Sequence, residues 1–249
     1  MKKIINTLKD FFNFKDWVSD LRAVPSLVVA LLLTSTVLMN ILANKSIIEL
    51  PWALQDAGIL VSWISFLVGD LLVKGFGSKT AIRVNLTCLS ISLFISCILI
   101  IVSIIPGTWS PSYNYMDSNV IDAVNESINS VMGNVWYVIL GSTFSSAVGL
   151  IINNLSQEFV LKKIELKHGD RYIGFLAAST ASTIIGQFVD NMLFACLIGM
   201  NFFQWTWVQV VTCSMTGVVF EAVFELILTP VIYKISQNWK KNGIGNKIN

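Results

Sequence analysis

Gln187, Asp190 and Asn191 stand at i, i+3 and i+4 in the stretch STIIGQFVDNMLFACLIG, so a helix carries all three on one face. Glu221 and Glu225 repeat the i, i+4 spacing farther along. Asn153 and Asn154 close another apolar run, and Asp70 precedes Lys74 by one turn. Carboxylates accept hydrogen bonds and carboxamides both donate and accept, so these groups make polar walls for a small ligand. Trp63, Phe66, Phe188 and Phe194 fall within about two turns of them. Aromatic faces beside amides and a carboxylate suit a flat polar heterocycle. A guanine-type base offers N1–H and an exocyclic amine to a carboxylate, and its O6 accepts from a Gln or Asn amide. The same groups would also serve a cation, and the residue types leave both open. The expected substrate-binding set is Gln187, Asp190, Asn191, Asp70, Asn153, Asn154, Glu221, Glu225 and Phe66, with no catalytic residue, metal or cofactor.

Each acid also has a plainer reading. Asp70 and Lys74 could be an interfacial ion pair with a snorkelling lysine. Asp190 could be a helix-to-helix hydrogen bond to an amide. A charged side chain at mid-bilayer costs about 3 kcal/mol on insertion scales. Holding helices together is a task that Ser or Thr does at less cost, which favours a ligand role for Asp190.

The elements that must position these groups are membrane spans. Hydrophobic residues make up 54% of the chain and charged ones 13%, about half the charged share of a soluble domain. Apolar runs long enough to cross a bilayer recur near 25–44, 51–73, 82–105, 132–153, 172–200 and 205–233. The expected fold is all-α: a polytopic membrane protein with six transmembrane helices in one bundle spanning 25–236. A cytoplasmic amphipathic segment (1–24) precedes the bundle and a basic cytoplasmic tail (237–249) follows it.

Charge sets the orientation. With the amino terminus inside, cytoplasmic segments hold Lys2, Lys3, Lys9, Lys15, Arg22, Lys74, Lys79 and Arg83. They also hold Lys162, Lys163, Lys167, Arg171, Lys234, Lys240, Lys241 and Lys247. Of the 17 basic residues only Lys45 falls outside. The positive-inside rule therefore places both termini in the cytoplasm. Basic residues spread over four loops form no stripe, so nucleic acid is not an expected partner. Phe11, Phe12, Phe14 and Trp17 among lysines point to an interfacial helix rather than a cleaved signal peptide. Cys88, Cys97, Cys196 and Cys213 all lie inside spans and read as small buried hydrophobes.

Six spans divide into two groups of three, and an odd number per group makes the second run opposite to the first. Each middle span carries a glycine-containing polar break with an aspartate, LVGDLLVKGFG and IIGQFVDNMLF. Paired interrupted segments of this kind point to a transporter site between two inverted three-helix halves. The loop after Pro106 opens with turn residues, and Asp117 to Met132 reads as a short helix on the outer surface. Enzymatic motifs are missing: there is no HExxH, no phosphate-binding loop and no GxSxG. The nearest approach to the GxGD of intramembrane aspartyl proteases is Leu67-Val68-Gly69-Asp70, without the first glycine. The expectation is a protein that is not an enzyme.

FLVGDLLVKGFGSKTAIRV resembles the hallmark of the queuosine-precursor transporter family, also called the vitamin uptake transporter family. PGTWSP with GNVWYVILGSTFSSAVGLIINN resembles that family's third loop and fourth helix. RYIGFLAASTASTIIGQFVDNMLFACLIG resembles its fifth, and the likeness runs on into TGVVFEAVFELILTPVIYKIS, roughly residues 50 to 236. The resemblance implies six helices and uptake of 7-deazaguanine compounds, precursors of the tRNA base queuosine. Asp70 and Asp190 fall on the family's recurrent membrane aspartates. Lys74 stands where many members carry an acid, Asn153–Asn154 where many carry an aspartate, and Trp136 where an arginine is frequent. On this reading the chain imports preQ0, preQ1, queuine or queuosine across the plasma membrane, with a protonatable acid able to couple uptake to protons. The alternative is the substrate-binding S component of an ATP-driven energy-coupling importer. The small-residue ridge Ser26, Ala30 and Thr34 on the first span would then meet the energy-coupling module. The expected partners are the substrate, the lipid bilayer, and either a second copy of the chain or that module.

Overall fold

The computed structural model describes residues 10–105, 118–133 and 136–245. The PGTWSP stretch and both chain ends lie outside the described residues. Helix α1, Phe14–Ala23, is capped by Asn13, whose side chain accepts from the Lys15 N–H at 3.1 Å. Val24 precedes Pro25 and is extended, as the proline ring demands. There α1 meets α2, Ser26–Leu42, at 103°. A β-hairpin follows, β1 (Ser46–Leu50) antiparallel to β2 (Ala53–Asp56). Then come α3 (Ile59–Phe76) and α4 (Ser78–Ile104), joined through Gly77 at φ +84°, a backbone shape that glycine adopts freely. α5 is Ser118–Gly133, α6 Trp136–His168 and α7 Tyr172–Phe194. α7 runs on through a π-helical turn, Ala195–Gly199, and a last turn, Met200–Phe202. α8, Trp207–Lys241, starts at a capping box between Thr206 and Gln209 and contains Pro230.

Five of these, α3, α4, α6, α7 with its extension, and α8, are long and apolar enough to span; counting the bent α1–α2 pair as one span makes six. α2 alone has 17 residues, about 26 Å at 1.5 Å per residue, close to the shortest length that crosses. The chain is an all-α polytopic membrane protein apart from its hairpin. The boundaries differ from the sequence reading in one way that matters. The second span starts at Ile59 rather than 51, because residues 46–56 pair as strands and aim Gln55 and Asp56 at the bundle. α8 continues unbroken past residue 236 to Lys241.

Polarity is turned inside out relative to a soluble bundle. Phe94, Ile101, Ile104, Val208, Val219 and Ile227 face outward, while Asn40, Ser145, Asn153, Asn154, Gln157 and Gln187 are buried. Such a surface is stable in lipid, where apolar exposure costs nothing and backbone polar groups are satisfied within each helix. α3 touches α2, α4, α6 and α8, and α7 lies against both α6 and α8, so the two middle spans share α6 and α8 as neighbours. α6 and α7 approach closely at Gly149 and Gly186. A Cβ on Gly149 would stand 2.7 Å from Asp190 Cβ, and one on Gly186 would stand 2.7 Å from Asn153 Cβ. One glycine contact thus fixes the spacing of two candidate site residues.

The helix ends sort the charges. Lys74, Lys79, Arg83, Lys162, Lys163, Arg171, Lys240 and Lys241 gather at the end of the bundle that carries α1, and Lys45 stands at the hairpin end. α1 is docked rather than free. Arg83 is buried at the start of α4 and pairs with Asp20 at 2.5 Å, donates to the carbonyls of Asp10 and Phe11, and lies over the Phe11 and Trp17 rings.

Candidate functional site

The sequence-derived set divides into two clusters on the same four helices. Toward the hairpin end, α7 supplies Gln187, Asp190 and Asn191, α8 supplies Glu221, and α3 supplies Ser62. α6 adds Ser142, Ser145 and Ser146, and the hairpin adds Gln55 and Asp56. These line an inner pocket of about 50 Å³, which shares Ala43, Gln55, Asp56 and Phe194 with a vestibule of about 410 Å³. The vestibule alone lies within the range of roughly 300–1,000 Å³ usual for small-molecule sites. The inner pocket, too small for a base, has the shape of a polar floor beneath it.

Local chemistry holds that floor. Ser146 donates to Asp190 Oδ2 at 3.1 Å, and Ser62 donates to Glu221 Oε1. Asn40 on α2 accepts from Ser142 at 2.6 Å and donates to Ser92 on α4 at 3.0 Å, tying three helices together behind the wall. Gln55 is fastened to α8 by the Thr216 hydroxyl at 3.3 Å. Asp56 Oδ1 accepts from the Gly58 N–H at 2.7 Å, yet burial outweighs that bond and pushes its carboxyl up to about 6. Three atoms of the wall are buried and unpartnered among the described residues: Gln187 Nε2, Asn191 Nδ2 and Glu221 Oε2. Two donors and one acceptor left open in one polar pocket are what a bound ligand would satisfy. The π-helical turn follows directly, with the Ala195 N–H shared between the carbonyls of Asn191 and Met192. Such turns concentrate at functional sites, and this one ends α7 just beyond the wall.

The second cluster lies deeper. Asp70 is about 12 Å along α3 from Ser62, at eight residues of helical rise. It is fully buried and accepts from Asn153 Nδ2 at 2.9 Å and from Ser179. Ser179 also stands against Glu225 Oε1 on α8. Asn154 is buried beside them, and Gln157 donates to the Asp70 carbonyl at 3.2 Å. Glu225 lies one turn before Pro230, and the Thr229 hydroxyl binds its carbonyl at 2.6 Å.

Two sequence readings change here. Asp70 and Lys74 do not pair: Lys74 reaches Glu165 and, at 2.8 Å, Asp170, while Asp70 turns into the bundle. Burial would raise the Asp170 carboxyl, but hydrogen bonds from Lys74, Gln237 and Lys240 prevail and hold it down at about 2. The aromatic residues also redistribute. Phe66 packs with Leu89 and Leu150, Trp63 stacks on Phe224 at 5.0 Å, and Phe188 faces outward. Phe194 lines the pocket and vestibule, joined in the vestibule by Phe203 and Trp205. Gln55, Asp56 and Trp205 were not among the expected residues; the Pro and Gly flanking WALQDA were the available sign that 51–58 leaves the helix.

A family model described as "Putative vitamin uptake transporter" matches residues 56–235, more than half of the chain and all of both clusters except Gln55. No curated protein and no solved structure matches the chain.

Proposed function

Because the chain belongs to the vitamin uptake transporter family, we propose that it imports a queuosine precursor or related 7-deazaguanine across the plasma membrane. The observation that carries this reading is the open hydrogen-bonding pattern of the inner pocket, Gln187 Nε2, Asn191 Nδ2 and Glu221 Oε2, beside Asp190. The amides donate to the base's acceptors, and the carboxyls accept from N1–H and the exocyclic amine. Phe194, Phe203 and Trp205 supply ring faces in a vestibule of suitable size. The clustering of basic residues at the α1 end supports a cytoplasmic placement of that end, with the vestibule outside and both termini inside. At the α1 end, the Lys74–Glu165–Asp170–Lys240 network ties α3, α6 and α8 together.

Equilibrium binding of labelled queuine and preQ1 to purified protein tests the reading. The parent binds one of them, and Asp190→Asn, present in the membrane in normal amount, binds at least tenfold more weakly. The loss of one charge-assisted partner is worth roughly 1.5–3 kcal/mol. Binding unaffected by Asp190→Asn would reduce that residue to a helix contact. An S-component role draws support from Ser26, Ala30 and Thr34, which are all exposed on the outer face of α2. Transport only in the presence of an ATPase module would establish that role instead.

A further inference from the structure

Ser179 has one hydroxyl hydrogen and two carboxyl neighbours. Its Oγ stands within hydrogen-bonding distance of Asp70 Oδ2 and of Glu225 Oε1. A single O–H donates to one of them only. If both acids were ionised, the other contact would set an anionic oxygen against a hydroxyl lone pair in a dry interior, with nothing gained. Both contacts become hydrogen bonds when one of the two acids is protonated and donates to Ser179 Oγ. We infer that Asp70, Ser179 and Glu225 hold a single shared proton and form the transporter's proton-coupling site, separate from the pocket that takes the base. This rests on the transport reading above and locates the ion that drives it.

Among the described residues no basic side chain reaches the pair. Asn153 Nδ2 donates to Asp70 Oδ1 at 2.9 Å, a contact that persists in either protonation state of Oδ2. From α6 the pair meets the neutral amide of Asn153, while Gln157 donates to the Asp70 backbone carbonyl, and from α7 it meets Ser179 and Thr183. From α4 the neutral Asn85 lies beside Gly69, while Arg83 is turned away to Asp20. α2 carries no titratable side chain, and on α8 Glu221 is the next acid, one turn toward the pocket. The nearest lysine, Lys74, is taken up by Glu165 and Asp170. No cationic side chain therefore neutralises the pair, and a proton does. Among the described residues no group of three or more Asp, Glu, His or Cys side chains is placed to hold a metal ion.

The arrangement also allows transfer. With the proton on Asp70, its O–H donates to Ser179 Oγ while the Ser179 O–H donates to Glu225. A concerted shift breaks the Asp70 O–H and Ser179 O–H bonds and forms new O–H bonds on Ser179 and Glu225. One negative charge remains throughout, moving from Glu225 to Asp70, where Asn153 already donates. Glu225 and Glu221 share a face of α8, so the proton's position is felt at the ligand wall one turn away.

Proteoliposomes and labelled queuine or preQ1 test the transport side. The parent accumulates the probe under an inside-alkaline gradient and not under a sodium gradient. Asp70→Asn and Glu225→Gln only equilibrate it. Gradient-driven accumulation in either variant, or sodium-driven accumulation in the parent, overturns the assignment. A second readout needs no ligand. The infrared difference between the parent and Asp70→Asn/Glu225→Gln at neutral pH should show one protonated carboxyl, sensitive to deuterium. Its absence overturns the shared proton even if neither probe is a substrate. Failure of the parent to bind either probe, with that band present, sinks the substrate reading alone.

Discussion

At the scale of single residues, spacing told more than identity. The i, i+3, i+4 placement of Gln187, Asp190 and Asn191 survives in the structure as one pocket wall. The aromatic neighbours did not survive as a group, because sequence proximity says nothing about which way a ring turns around the helix; Phe66 went to an apolar cluster. Asp56 was hidden for a different reason: a strand pairing, invisible to hydropathy, carries it into the pocket. Burial raises its carboxyl to about 6 from an ordinary 3.8, so the folded protein holds a proton that the unfolded chain has lost. A raised carboxyl stabilises below about 3.8, and that contribution drains away as pH climbs through about 6. Asp56→Asn should therefore flatten the pH dependence of thermal stability across that window, measured in detergent. A slope unchanged by the substitution would show that Asp56 is solvated. Asp170 runs the other way. Held down at about 2, it stabilises above the ordinary carboxylate range and loses that contribution only in strong acid.

At the scale of elements, the paired polar breaks in the second and fifth spans fall on α3 and α7, two of the four helices that line the candidate site, where a polar break inside lipid is covered by neighbours. The glycine contact between α6 and α7 has no signature in hydropathy, yet it sets the depth at which Asp190 and Asn153 face the interior. Gly149→Leu should part the two helices and lower stability by about 1–3 kcal/mol, with ligand binding falling as well. Thermal unfolding and binding together check this; a variant with parental stability would mean that the helices have slack there. The docking of α1 makes a separate claim. Arg83→Ala leaves Asp20 without its partner and the Asp10 and Phe11 carbonyls without their donor. A cysteine introduced at Ser19 should then react with a water-soluble maleimide faster than in the parent background. Equal rates would show that α1 is held by its aromatic residues alone.

At the scale of the whole molecule, composition sufficed for the class, because the cost of backbone polar groups in lipid leaves few alternatives to helices. The described residues hold five helices that qualify as spans, or six with the bent α1–α2 pair counted as one. The hairpin and the separation of the acids into two levels came only with tertiary packing. Orientation has its own check: Ser118→Cys should be labelled from outside in intact cells, and labelling only after permeabilisation would invert the bundle. The central claim is that this chain by itself carries a 7-deazaguanine through the pocket walled by Asp190. Uptake of labelled queuine or preQ1 into proteoliposomes containing the purified chain and no ATPase tests it most directly. The account predicts uptake by the parent and at least a tenfold loss in Asp190→Asn at limiting substrate, the rate equivalent of about 1.4 kcal/mol or more. No uptake by the parent, or equal uptake by the variant, would contradict it.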